Sequence, residues 1–191
     1  MKNKTAGFAL CGSFCTFSRV IPQIERLIEN GWSILPIMSE TAYSTDTRFG
    51  EAKQFADRIE AMCKRKIIHT VAEAEPIGPK GLLDLLIIAP CTGNTLGKLA
   101  NGITDTSVTL AAKAHLRNSR PVLIAVSTND ALGGSAKNIG LLLNSKNIFF
   151  VPMGQDDFKH KPNSVVADFD KIGEAAQLII DENRQIQPIL V

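Results

Sequence analysis

Residues Leu82 to Thr109, LLDLLIIAPCTGNTLGKLANGITDTSVT, decide the fold. Leu85 to Ala89 is an unbroken apolar run, short enough for a strand covered on both faces as in parallel sheets. Pro90 has no N–H and a fixed φ, so the ladder is expected to stop there. The turn Cys91 to Thr95 offers hydroxyls, an amide and, at Gly93, a backbone that another molecule can approach. Leu96, Leu99, Ala100 and Ile103 then recur at helical spacing, which gives an amphipathic helix leaving the turn. Asn101-Gly102 reads as its stop, and Asp105 as the cap of the next helix. A polar turn between strand end and helix start is where α/β sheets hold anions and cofactors, because unpaired helix N–H groups point there.

The same grammar repeats on either side. Thr5 to Cys11 reads as a strand, and Gly12-Ser13 as the turn after it. Phe17, Val20, Ile21, Ile24, Leu27 and Ile28 form a helical stripe that Thr16 or Ser18 can cap, with Pro22 as a local conflict and Asn30-Gly31 as the end. Ser33 to Met38 completes a β-α-β unit, which favours parallel pairing through a right-handed crossover. Ser39 to Gly50 is read as a hydroxyl-rich loop, Ala52 to Met62 as a helix, Lys66 to Thr70 as a short strand, and Glu73 to Gly81 as a loop. Further on come a strand at Val122 to Val126, a polar turn at Ser127 to Asp130 and a helix at Ala136 to Leu143. Ile148 to Val151 is expected to be the last strand. The irregular polar stretch Pro152 to Asp168 has the length of a functional lid or of a disordered segment. Ile172 to Ile180 is the final amphipathic helix. Strands alternating with helices make an α/β fold: a three-layer, doubly wound, parallel and Rossmann-like sheet.

The chain has 191 residues, which predicts one domain over 1–184 and a C-terminal tail over 185–191. Hydrophobic content of 45% against 21% charged residues is that of a globular core, and a net charge of +2 argues against nucleic acid as partner. The apolar run near the N-terminus, Ala6 to Cys11, is too short for a signal peptide. No apolar segment approaches the length of about 18 residues that a membrane span needs, so a cytoplasmic protein is expected. The four cysteines show neither a CxxC pair nor zinc spacing. Free thiols and no metal site are therefore expected, with Cys91 singled out because it sits in the site turn.

In a doubly wound sheet the turns after the strands share one edge, and the crevice opens where strand order reverses. Gly12-Ser13-Phe14-Cys15-Thr16 is not GxGxxG, and no P-loop is present, so a tightly held dinucleotide or ATP is not supported. A single phosphate suits these turns better: Ser13, Thr92 and Thr95 hydroxyls beside helix N–H groups would neutralise a monoester without a lysine. His69, at a strand end, is the candidate acid/base group.

At these residues the chain resembles the flavoprotein family of homo-oligomeric FMN proteins, which includes flavin-dependent cysteinyl decarboxylases. Members carry a Gly-Ser loop, a Pro-Ala-Ser-Ala-Asn-Thr turn and an Asn-Gly-Ile-Ala-Asp run. Here these are Gly12-Ser13, Pro90-Cys91-Thr92-Gly93-Asn94-Thr95 and Asn101-Gly102-Ile103-Thr104-Asp105. The resemblance implies an FMN pocket between subunits of a trimer or a multiple of trimers. Gly12, Ser13, Ser39, Thr41, Pro90, Thr92, Asn94 and Thr95 would bind the cofactor, and His69 and Asn129 would be catalytic. Only Asn129 of the decarboxylases' Met-Asn-Xaa-Xaa-Met-Trp signature survives in Val126 to Gly133, which counts against cysteine decarboxylation. AEPIGPK (Ala74 to Lys80), the stretch Ala89 to Asp105, AAKAHLRNSRPVLIAVSTND (Ala111 to Asp130), NIGLLLNSKNI (Asn138 to Ile148) and GQDDFKHKPNS (Gly154 to Ser164) are similar to one branch of the family, found in spore-forming bacteria. That branch forms half of a two-subunit oxidoreductase whose other subunit binds NADP. The resemblance implies oxidation of a dihydrodipicolinate-type precursor to pyridine-2,6-dicarboxylate in the mother cell. Were this chain to bind that dianion, Arg19, Lys98, Lys137 and the loop of Lys159 and Lys161 would be the candidate cations. The alternatives it leaves are an FMN-dependent decarboxylase and a non-catalytic scaffold with a degenerate flavin pocket.

Overall fold

The computed structural model describes residues 4–190. Its centre is five parallel strands: β1 (Thr5–Leu10), β2 (Ser33–Met38), β3 (Leu85–Cys91), β4 (Val122–Thr128) and β5 (Ile148–Phe150). They lie in the order β2-β1-β3-β4-β5, so the order reverses between β1 and β3. All seven residues of β3 are buried, as the continuous apolar run requires of a central strand covered on both faces. The helices are α1 (Phe17–Glu29), α2 (Glu40–Ser44), α3 (Ala52–Cys63), α4 (Val71–Ala74), α5 (Gly93–Ala100), α6 (Ser107–Leu116), α7 (Ala136–Leu143) and α8 (Ile172–Glu182). Helices α1 and α8 pack together against the sheet, while α6 packs on β2, β3 and β4 with α4 and α5 beside it. The expected α/β sandwich of three layers is present.

Several elements differ from the sequence reading, each for a local reason. The ladder does not stop at Pro90; β3 runs on to Cys91, with a register shift between Ile88 and Cys91 that accommodates the residue without an N–H. Lys66 to Thr70 is not a strand: it makes one bridge, Ile37 to Ile68, at the edge of the sheet. The supposed loop 39–50 opens with α2, because the Ser39 hydroxyl accepts from Ala42 N–H at 3.2 Å. The expected loop 73–81 begins within α4, which runs to Ala74, and continues as a 3-10 turn at Glu75–Ile77. A capping box with Glu73 at Thr70 starts α4. Thr106, not Asp105, caps α6, again through a capping box, here with Thr109. Asp105 instead pairs with Lys98 at 2.8 Å. The stop at Asn101-Gly102 is a Schellman turn: Gly102 takes φ +69, and Ile103 N–H donates to Lys98 O at 2.9 Å.

Beyond β5 the segment 152–168 is not wholly irregular. It carries β6 (Met153–Gly154) and β7 (Val165–Ala167), antiparallel to each other. Strand β7 also pairs antiparallel with the end of β4, Ser127 to Val166 and Thr128 to Val165. Since β3 takes one edge of β4, β5 and β7 share the other, one after the other. This ladder anchors residues 155–164 beside the strand ends. Residues 185–190 lie back on the domain: the Gln185 amide accepts from Phe150 N–H and donates to Phe150 O, both at 2.7 Å, and Leu190 N–H donates to Met153 O. Residues 1–3 and 191 of the expected domain limits fall outside the described residues.

Candidate functional site

Three strand ends build one rim. After β1, Ser13 N–H donates to Cys11 O at 2.8 Å and the Thr16 hydroxyl donates to Ser13 O at 2.8 Å, which fixes the turn before α1. Across it, at the end of β4, Ser127 shares a hydroxyl hydrogen bond of 2.9 Å with Ser13. After β3, Thr92 caps α5, its hydroxyl accepting from Thr95 N–H at 3.4 Å. Ser13, Thr16, Thr92 and Ser127 line a cleft of about 520 Å³ together with Gly12 and Asn129. Phe14 and Phe49 give it apolar wall, and Arg19, Asp156 and Lys161 give it charge. A volume of that size is in the range that encloses a small ligand.

Of the cations read from the sequence, Arg19 and Lys161 face this cleft. Lys98 is engaged with Asp105, and Lys159 lies over its neighbour Phe158. The Arg19 guanidinium sits 5.1 Å from the ring centroid of buried Phe169. Lys161 and Asp156 form an ion pair of 3.6 Å. Burial pushes the Asp156 carboxyl up, but the Ser164 hydroxyl, its own backbone N–H and Lys161 outweigh that and hold it below its ordinary value. Ser164 also donates to Asn129 Oδ1 at 3.4 Å, so the 155–164 segment and the β4 turn are tied at the cleft.

Gly93 does not leave space for a ligand. A Cβ there would lie 2.7 Å from Asp130 Oδ1 and 2.8 Å from both Ser135 Oγ and Thr128 Oγ1. Asp130 accepts from Thr128 Oγ1 and from Ser135 Oγ, so an internal carboxylate fills the place against the start of α5. Thr95 is buried and turns its hydroxyl to Cys11 Sγ at 3.3 Å; Asn94 is exposed on α5, outside the cleft lining. Pro90 is buried, and its carbonyl accepts from Cys11 N–H. Ser39 is spent on capping α2, and Thr41 stands near Gly12. Cys91 is sealed, with burial and then neighbouring Cys11 driving its thiol well above the ordinary value, so it is no ready nucleophile.

His69 lies in a different cavity, of about 560 Å³, stacked on Tyr43 with ring centroids 3.8 Å apart. Its Nδ1 is 3.3 Å from Glu73 Oε2, yet that nitrogen is buried and the geometry is not that of a hydrogen bond. The carboxylate instead accepts the backbone N–H groups of His69 and Thr70. Within one chain His69 and Asn129 therefore do not converge. Phe14, Phe49 and Asp156 escaped the sequence reading, because no periodicity marks residues that meet only through the β4–β7 ladder and the turn after β1.

The sheet reverses at β1 and β3, with hydroxyl-bearing turns gathered over the reversal, which defines a doubly wound α/β protein with its turns where such sheets receive ligands. The chain belongs to the Flavoprotein family, which matches residues 1–179. It is 47% identical to the B subunit of dipicolinate synthase of Bacillus subtilis (strain 168) over 191 residues, 100% of this chain and 95% of that protein. The crystal structure of the dipicolinate synthase B subunit from Bacillus halodurans C superposes with a TM-score of 0.90 at 43% identity, covering 98% of this chain and 96% of that one. Burkholderia xenovorans DmrB in complex with FMN, described as a cubic protein cage for redox transfer, shares the fold at TM-score 0.68 and 17% identity, with 92% and 94% covered.

Proposed function

We propose that this chain is the flavoprotein-fold subunit of a dipicolinate synthase, working with an NADP-binding A subunit to oxidise a dihydrodipicolinate-type precursor to dipicolinate during sporulation. The observation that carries this reading is the 47% identity to the dipicolinate synthase B subunit along the entire chain. The cleft suits such a role. It is small and lined by hydroxyls and cations, and the chain lacks a dinucleotide fingerprint, so hydride chemistry falls to the partner. FMN also fits the donor set. Gly12, Ser13 and Thr92 would hold its phosphate by hydroxyl and backbone donors, while Phe14 and Phe49 offer flat apolar faces to its ring. Bound there, flavin would supply electron-transfer chemistry. Assembly into trimers, or multiples of trimers, with the pocket between subunits, belongs to this reading. A stand-alone cysteinyl decarboxylase is disfavoured by Val126 to Gly133, which keeps Asn129 and lacks the second Met and the Trp.

The test is co-production with the A subunit, followed by measurement of dipicolinate from precursor and NADP. Ser13→Ala is expected to lower turnover while the two subunits still co-purify. An A subunit that turns over fully without this chain, or a wild-type pair that makes no dipicolinate, would refute the assignment.

A further inference from the structure

We propose that Arg19 and Lys161 read the two carboxylates of a small planar diacid, with Arg19 setting the preference for this ligand class. The inference rests on the reading of the cleft given under Proposed function and names the part of it that meets the substrate. Arg19 is exposed at the cleft, and its planar fork is held against the buried ring of Phe169. The acid beside that ring, Asp170, is already taken by Arg26 and Gln23, at 2.5 and 2.9 Å. Among the described residues Arg19 has no carboxylate partner, so its N–H groups stay free for a ligand. A stacked guanidinium with unused donors is the arrangement that grips a carboxylate in a two-point hydrogen bond, which an ammonium cannot copy.

Lys161 comes from the other side, on the segment tied down by the β4–β7 ladder. Its ion pair with Asp156 is long, at 3.6 Å, and Asp156 is itself exposed to water. An incoming carboxylate can therefore take Lys161 over without leaving Asp156 unsatisfied. Donors on two separate elements, α1 and the 155–164 segment, suit a ligand with a charge at each end. The Ser127 hydroxyl in the same cleft can serve the ligand's polar edge.

Titration calorimetry of the purified full chain tests this with three probes: pyridine-2,6-dicarboxylate, pyridine-2-carboxylate and FMN. The wild type is expected to favour the diacid over the monoacid about tenfold. Arg19→Gln should weaken both pyridine acids by about 10- to 100-fold, the span of a charged hydrogen-bond pair. Arg19→Lys should recover only part of that loss, and Lys161→Gln should abolish the preference for the diacid. Unchanged diacid binding in Arg19→Gln overturns the proposal, as does weakening confined to FMN, which would assign Arg19 to a flavin phosphate. Thermal melts keep folding separate, since Arg19 lies outside the core. If the two-subunit assay yields no dipicolinate while Arg19→Gln still loses the diacid, the functional reading fails and this assignment stands. Normal turnover with unchanged binding in Arg19→Gln gives the reverse.

Discussion

Gly93→Ala should destabilise the protein, and the same change should become harmless once Asp130 is removed. The added methyl would sit 2.7 Å from Asp130 Oδ1 and 2.8 Å from Ser135 Oγ and Thr128 Oγ1, all closer than a carbon tolerates. Overpacking of this kind costs about 1–3 kcal/mol. Against it stands a gain of about 0.4–1 kcal/mol from restricting the unfolded chain. The net expectation is a loss of about 1–2 kcal/mol, or a fall in Tm of about 2–8 °C for a chain this long. In an Asp130→Ala background the two hydroxyls lose their shared acceptor and can rotate away, so only the favourable term survives and Gly93→Ala should raise Tm slightly. The assay is a double-mutant cycle by thermal or urea unfolding. Equal cost in both backgrounds would refute the claim that the Asp130 carboxylate fills the place against the start of α5.

Two further expectations follow from buried groups. His115 is 1% exposed, and burial, helped by the nearby Arg120 charge, pulls its pKa down to about 4 despite the opposing Pro121 backbone contact and Asp84. The unfolded chain therefore binds a proton between about pH 6.5 and 4 that the folded chain refuses. Stability should be complete above the upper value and fall by about 2–4 kcal/mol as pH drops through this window. His115→Phe should flatten that limb of a pH series of urea melts; an unaltered limb contradicts the assignment. Native labelling with an alkylating reagent should modify exposed Cys15 first and spare Cys11 and Cys91. Both are buried, and burial pushes the Cys11 thiol up to about 11, leaving little thiolate. Peptide mapping that finds Cys91 labelled as fast as Cys15 would show the site turn to be open.

The chain itself determined the alternation of strands and helices, since burial on two faces demands unbroken apolar runs and burial on one demands a stripe of helical period. Leu85 to Ala89 and the face from Phe17 to Ile28 could be read for that reason alone, and so could the Gly-Ser and Thr-Gly-Asn-Thr turns. Tertiary structure decided what those turns do. Ser13 meets Ser127 because β1 and β4 end at the same rim, 114 residues apart in sequence. Gly93 admits Asp130 and Ser135, not a ligand, because the turn after β4 folds back over the start of α5. Arg19 and Lys161 share a cleft only through β7, a three-residue strand too short to carry a periodic signal, whose partner is the far end of β4. Periodicity records whether a residue is buried; which distant residue it is buried against is fixed by chain topology, and the site is made of such pairs.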